Sequence, residues 1–338
     1  MIVGFDKTQP TLRAALIGLG SMGRHHARNL RAIDGVDLIA VADPAGDPFG
    51  VAGNLEVLPG VEALIEQQPD YVVVATPTRY HEEIGLALAE AGIHALIEKP
   101  LAATTQSAKN LAEAFAAKGL IGATGHIERY NPALQSLRKR LENGDLGDLY
   151  QITTRRQGPF PARIADVGVV KDLASHDIDL TAWVTQRKYE LVAARTMSKA
   201  GREYEDMVSA TCQLEGGLMS NHLVNWLTPT KERLTIVTGE KGMFVADTLT
   251  ADLTFYANGQ VATTWADIAQ FRGVTEGDVT RYAISKPEPL RTEHEHFRDA
   301  VLGKEGSDIV TMEQGARVVE VCEAMIESAK TGQFISVN

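Results

Sequence analysis

Asp172, His176 and Asp179 lie four and three residues apart within Lys171-Asp172-Leu173-Ala174-Ser175-His176-Asp177-Ile178-Asp179-Leu180. On a helix this spacing puts an imidazole and two carboxylates on one side, with Leu173, Ile178 and Leu180 free to pack away from it. An imidazole bracketed by carboxylates exchanges protons near neutral pH, and a carboxylate orients the ring and offsets its charge. The plainer account is a helix with solvated acids and a surface histidine. Asp172, His176 and Asp177 also raise a metal reading, but their spacing matches no strong zinc pattern and no cysteine joins them, so no metal is expected. A second candidate is Lys99 in Glu98-Lys99-Pro100, at the end of an apolar run. Its ammonium suits an oxygen that gains negative charge. In poorly solvated surroundings beside another cation it would instead serve as an amine base. Which of Lys99 and His176 takes a proton stays open at this level.

What these groups would act with follows from Gly18-Leu19-Gly20-Ser21-Met22-Gly23, set directly after the apolar run Leu12 to Ile17. A second apolar run, Val36 to Ala42, ends in Asp43. Strand, glycine turn, helix, strand and acid together predict a dinucleotide site. Gly18 permits the tight turn, Gly20 admits the pyrophosphate, and Gly23 lets the helix pack closely. Ser21 and Met22 open the helix whose free N–H groups and dipole favour phosphate. The Asp43 carboxylate accepts from ribose hydroxyls and repels a 2′-phosphate, and Pro44-Ala45-Gly46 offers no cation for one. NAD is therefore favoured over NADP, although Arg24 and the His25-His26 pair stand close enough in sequence to approach a phosphate.

The elements that must position these residues fall into two patterns. Strands are predicted at Leu12–Ile17, Leu38–Ala42, Tyr71–Ala75, Ile93–Ile97 and Leu120–Ala123. They alternate with helices over Gly23–Ile33, Glu62–Gln67, Tyr80–Ala91 and Thr105–Lys118, while Asp43–Gly60 is irregular. That alternation predicts an α/β fold whose N-terminal part is a Rossmann-type, doubly wound parallel sheet. Thr76, Pro77, His81, Glu98 and Lys99 fall at its carboxyl edge, where such sheets hold ligands; the plainer account of Lys99 is a surface lysine after a strand, and of His81 a helix-start residue packed against its domain. Beyond Arg129 the pattern changes. A helix opens at Pro132, Asp166–Val184 is mainly helical, and strand-like runs follow from Leu149 to Tyr256. Gly216-Gly217 and Asn258-Gly259 read as hairpin turns. Arg291–Leu302 and Met312–Ala329 close the chain as helices. The expectation is a dinucleotide-binding domain over 1–126 and an α+β substrate and oligomerisation domain over 127–338. The latter has a large, mostly antiparallel mixed sheet, and the two domains share a cleft.

The chain has 338 residues, 44% of them hydrophobic and 23% charged, with a formal net charge of -11. That size favours two domains. The acidity argues against nucleic acid as a partner, since phosphate backbones need clustered cations. Cys212 and Cys322 lie in predicted element interiors with no C-x-x-C spacing, and read as core residues of a reducing compartment. No run approaches membrane-spanning length, and a cytoplasmic location with no membrane partner is expected. Arg155, Arg156 and Arg163 make a local basic patch suited to a diphosphate, with surface or interface ion pairs as the plainer account. Tyr130 and Asn131 follow the domain junction as candidates for a sugar pocket, or as a plain helix opening.

Taken together, the glycine turn, Asp43, Ala75-Thr76-Pro77, His81, Glu98-Lys99-Pro100 and Asp172-Leu173-Ala174-Ser175-His176-Asp177-Ile178-Asp179 resemble the glucose–fructose oxidoreductase and inositol dehydrogenase (Gfo/Idh/MocA) family. The resemblance implies an NAD(P)-dependent sugar dehydrogenase forming a homodimer or homotetramer through its second sheet. The family's catalytic lysine falls on Lys99, its aspartate on Asp172 and its histidine on His176. Arg155 to Ile164 and Asp166 to Val170 resemble a subgroup acting on nucleotide-linked amino sugars, such as the UDP-N-acetylglucosamine 3-dehydrogenases. The chain departs from many relatives at Lys171, where they carry an apolar residue. Alternative activities are keto-sugar reduction, inositol or free-sugar oxidation, and dinucleotide sensing without turnover.

Overall fold

Tyr71, Val72, Val73 and Val74 are all 0% exposed, which requires cover on both faces of the strand they form. In the computed structural model, which describes residues 10–161, 167–259 and 276–337, residues 10–127 and Glu288–Glu323 cluster as one compact unit. Its elements are β1 (Leu12–Ile17), α1 (Gly23–Ala32), β2 (Val36–Ala42), β3 (Val57–Leu58), α2 (Val61–Ile65), β4 (Tyr71–Val74), α3 (His81–Glu90), β5 (His94–Glu98), α4 (Thr105–Ala117) and β6 (Gly122–Gly125). The strands are ordered β3-β2-β1-β4-β5-β6 and every pairing is parallel.

Successive side chains alternate across this sheet and fill two cores. Ala15, Ile17, Val72, Val74, Ala95 and Ile97 pack with Leu88 of α3 and Leu111 and Phe115 of α4. Ala14, Leu16, Leu38, Val41, Val73 and Leu96 pack on the other face with Ala27 and Leu30 of α1 and with Phe297. Each buried Val or Leu contributes roughly 1.5–3 kcal/mol. The doubly wound parallel sheet is thus as expected. The sequence division at 126/127 assigns Glu288–Glu323 to the second domain, whereas those residues cluster with the parallel sheet.

The second unit comprises residues 128–161, Val167–Pro287 and 324–337, within the described ranges. Its elements are α5 (Pro132–Glu142), β7 (Leu149–Pro159), a π-helical turn at Val170–Ala174, α6 (Ser175–Thr185), β8 (Tyr189–Met197), β9 (Met207–Leu214), β10 (Leu218–Asn225), β11 (Leu227–Gly239), β12 (Gly242–Asp247), β13 (Asp252–Asn258) and β14 (Glu276–Arg281). After α7 (Pro289–Val301) in the first unit, α8 (Met312–Thr331) contributes to both, and β15 (Ile335–Ser336) ends the described chain. The sheet order is β14-β13-β12-β11-β7-β10-β9-β8-β15. Only β7 and β10 pair in parallel among these strands; the other pairings are antiparallel. The expected large, mostly antiparallel mixed sheet is therefore present. One correction concerns its turns: the partner of β13 begins at Glu276, so Asn258-Gly259 does not close a tight hairpin.

In β9, Val208, Ala210, Cys212 and Leu214 are buried while Ser209, Thr211 and Gln213 are exposed, the period-two pattern of a sheet with one covered face. Helix α6 packs on β7, and the π-turn lies against β9 and β10. Cys212 and Cys322 are buried and in no disulfide. Burial pushes the Cys212 thiol up to about 12, as expected of a core residue. Among the described residues, no helix is long and apolar enough to cross a membrane.

Candidate active site

The glycine turn has the geometry that its three glycines require. Gly18 has φ +96°, and a Cβ there would come 2.6 Å from the backbone of Ala75, so the turn abuts the end of β4. A Cβ on Gly23 would overlap the Gly18 carbonyl, whereas the position above Gly20 is open. Helix α1 begins with no side-chain cap and no acid in its first turn, so its dipole favours an anion at that end. Asp43 holds the turn from the side: its Oδ2 accepts the Leu19 N–H at 2.8 Å and its Oδ1 accepts the Ala45 N–H at 2.8 Å. The Thr76 hydroxyl, beside Gly18, is buried with no hydrogen-bond partner among the described residues. Open backbone, an uncapped helix start, an acid at the end of β2 and an unsatisfied hydroxyl fit a bound dinucleotide.

Not every residue expected to touch the cofactor faces that turn. His81 is 1% exposed, with Nδ1 3.0 Å from the Pro100 carbonyl and Nε2 2.9 Å from the Thr76 carbonyl. A neutral ring donates to one of the two, and burial holds its pKa below the ordinary histidine value. His81 therefore braces the ends of β4 and β5, which corrects the expectation of a cofactor ligand. His26 is fully buried on the packed side of α1 and does not approach a phosphate. Its ring bridges Glu98 and His294 instead. The stripe Gly23, His26, Ala27, Leu30 was its available signal, because a histidine inside a buried stripe needs a partner.

In the second unit the acid–histidine segment begins in the π-turn. Asp172 is 3% exposed within it, and His176, half-buried, is the second residue of α6. Glu205 fixes this turn: its carbonyl accepts the Val169 N–H at 2.9 Å and its Oε1 the Val170 N–H at 3.1 Å. A Cβ on Gly168 would meet the Glu205 carboxylate, which would have to swing aside and give up its bond to Val170. Single π-turns inside helices concentrate at functional sites.

The two acids that follow His176 are spent on buried arginines. Asp179 takes Arg129 in a fork, Nε to Oδ2 at 2.9 Å and Nη2 to Oδ1 at 2.6 Å. Asp177 Oδ1 accepts Arg156 Nε at 2.8 Å, and Arg156 Nη1 reaches Glu128 Oε1 at 2.8 Å. Burial opposes the Arg156 charge, but Asp177 and Glu128 outweigh it and hold its pKa above the ordinary arginine value. These pairs pin α6 and so the position of His176.

That arrangement corrects the expected basic patch. Arg155 and Arg156 are neighbours in β7, so their side chains leave opposite faces of the sheet. Arg156 is 4% exposed and fully engaged, which removes it as a diphosphate ligand. Arg155 is exposed and pairs with Glu232 at 3.1 Å. Arg163 lies outside the described residues. Asn131 caps α5 through the Ala133 N–H at 3.0 Å and donates to the Thr248 carbonyl at 3.0 Å, so the helix-opening account holds for it. Tyr130 is 3% exposed in the core. No group of three or more His, Cys, Asp or Glu among the described residues could hold a metal ion.

Comparison with known proteins agrees with this geometry. Residues 12–126 match the profile described as the oxidoreductase family, NAD-binding Rossmann fold, and residues 134–245 match the GFO/IDH/MocA C-terminal domain. A UDP-N-acetylglucosamine 3-dehydrogenase of Acidithiobacillus ferrooxidans is 34% identical over 62% of this chain and 66% of its own length. A scyllo-inositol 2-dehydrogenase (NAD(+)) of Bacillus subtilis is 31% identical over 51% of this chain and 54% of its own. Each match therefore spans less than two thirds of the relative. The solved structure of the Acidithiobacillus ferrooxidans enzyme superposes with a TM-score of 0.79 at 26% identity, covering 94% of this chain and 98% of that one. With both characteristic regions present in order, the chain belongs to the Gfo/Idh/MocA family of NAD-binding oxidoreductases.

Proposed function

We propose that the protein is an NAD-dependent dehydrogenase that oxidises a ring hydroxyl, at C3, of a nucleotide-linked amino sugar such as UDP-N-acetylglucosamine. The observation that carries this reading is the 34% identity to a UDP-N-acetylglucosamine 3-dehydrogenase, joined to a glycine turn and acid that suit NAD. When bound, NAD supplies the hydride acceptor. His176 accepts the hydroxyl proton, and Asp172, four residues before it, orients the ring and offsets its charge. Lys99 hydrogen-bonds the alcohol oxygen and stabilises the charge that develops there. Asp43 accepts from the adenosine ribose hydroxyls and disfavours a 2′-phosphate.

A second reading, oxidation of a free polyol, is supported by the 31% identity to an inositol dehydrogenase and by the loss of Arg156 from the diphosphate patch. The test is the rate of NADH formation with UDP-N-acetylglucosamine and with myo-inositol in parallel. Faster turnover of the nucleotide sugar supports the first reading, and turnover of inositol alone replaces it with the second. The exposed sheet face carrying Ser209, Thr211, Gln213 and Met219 further supports a homo-oligomer, which light scattering of the purified protein tests.

A further inference from the structure

A line of buried polar groups in the first unit is not used by the proposed chemistry, yet it ends at the residue next to Lys99. Glu98 closes β5; its Oε2 accepts the Lys99 backbone N–H at 3.0 Å. Its Oε1 lies 2.9 Å from His26 Nε2 on α1. The second nitrogen of that ring, Nδ1, lies 2.9 Å from His294 Nε2 on α7. Both rings are 0% exposed and meet edge to face with centroids 5.1 Å apart.

Donor and acceptor chemistry fixes the protons along this line. A carboxylate only accepts, so His26 carries its proton on Nε2. Its Nδ1 then accepts, in the neutral ring, from His294 Nε2–H. Burial, and then the neighbouring His26, hold the His294 pKa well below the ordinary value, so that ring stays neutral. Burial alone would raise the Glu98 pKa, but the hydrogen bond from His26 and the charge and backbone N–H of Lys99 bring it below the ordinary carboxylate value. The other titratable groups here are His81 at the start of α3, which feels the Glu98 charge, and Glu293 beside His294. Gly125 leaves room for the carboxylate, since a Cβ would come 3.3 Å from it, and buried His126 follows. An apolar packing would cost less desolvation than two buried imidazoles, so packing alone does not account for them.

We propose that Glu98, His26 and His294 form a positioning chain for Lys99, in which the two imidazoles hold a fixed carboxylate against the Lys99 turn and so keep a negative charge beside its amine. His26 and His294 are positioning residues: they act through Glu98. This inference rests on the role proposed for Lys99, but its test needs no substrate.

The test is acetylation of Lys99 by acetic anhydride in the full-length protein, quantified by mass spectrometry at about pH 8 and about pH 11. The ratio of the two rates cancels accessibility and reads how strongly the surroundings retain the ammonium. His26→Leu and His294→Leu should each raise the ratio, His26→Leu by at least about threefold, because a mobile carboxylate attracts the ammonium less. Glu98→Gln sets the upper limit. His26→Gln keeps an N–H donor and should stay near wild type. An unchanged ratio in folded His26→Leu and His294→Leu overturns the proposal, and His294→Leu decides if His26→Leu does not fold. Failure of the nucleotide-sugar reading would appear only in the turnover assay and leave this ratio untouched.

Discussion

The carboxylate of Asp43 accepts the backbone N–H of Leu19 at 2.8 Å, so the acid at the end of β2 and the glycine turn after β1 are hydrogen-bonded to each other. Asp43→Ala removes this brace and, on the proposed reading, the acceptor for the ribose hydroxyls. It should weaken NAD binding at least about tenfold, or about 1.4 kcal/mol, as read by quenching of protein fluorescence. Asp43→Asn keeps an acceptor but loses the charge, so the affinity ratio of NADP to NAD should rise.

The turn itself tolerates no side chain at Gly18. The backbone there has φ +96° and stands against Ala75 and Thr76, so Gly18→Ala combines left-handed strain with a steric clash. A loss of roughly 1–3 kcal/mol in urea unfolding is expected, with NAD binding reduced further because the turn moves. Gly20→Ala, where the space is open, should leave stability within about 1 kcal/mol and still weaken NAD.

The difference between those two glycines shows how far the sequence could be read. The parallel sheet was legible because strands buried on both faces read as unbroken apolar runs such as Tyr71–Val74. The second sheet was legible in outline through alternation. Strand β11 nevertheless runs through Pro229, its register shifting between Leu227 and Glu232. Proline there gives a strand-breaking signal that an irregular pairing absorbs. The short strand Val57–Leu58 was hidden in a stretch with no periodicity. Position in a motif singled out Gly18, Asp43, Lys99 and His176 as candidates, of which Asp43 is hydrogen-bonded to the glycine turn. The partners of buried charge were invisible, because His26 meets His294 across 268 positions and no local pattern encodes such a contact. Arg156 was misread for the same reason: its two carboxylates sit on separate elements.

Arg129 and Asp179 form a buried fork that anchors α6. Arg129→Met leaves the Asp179 carboxylate without that partner and should cost about 3–5 kcal/mol by chemical denaturation. Arg129→Met combined with Asp179→Leu should recover much of that loss. Turnover should recover less, since α6 carries His176.

Stability should also depend on pH through His222 in β10. Its ring is 1% exposed and meets Thr154, Tyr189 and Ser220 at 2.8, 3.1 and 3.1 Å. Burial lowers its pKa to about 4 from 6.5. The unfolded chain therefore binds the extra proton first as pH falls. The contribution, about 3 kcal/mol, is fully present above about pH 6.5 and is lost on the way down to about pH 4. His222→Gln should flatten this part of the stability profile measured by urea unfolding, and an equally steep profile in the variant would assign the effect to other groups.

The most direct measurement is NADH formation from NAD and UDP-N-acetylglucosamine by wild type and His176→Asn, with NAD affinity measured alongside. The account predicts unchanged NAD affinity and a turnover reduced at least about a hundredfold, the scale of a lost positioned base. Equal turnover by the two proteins would contradict it.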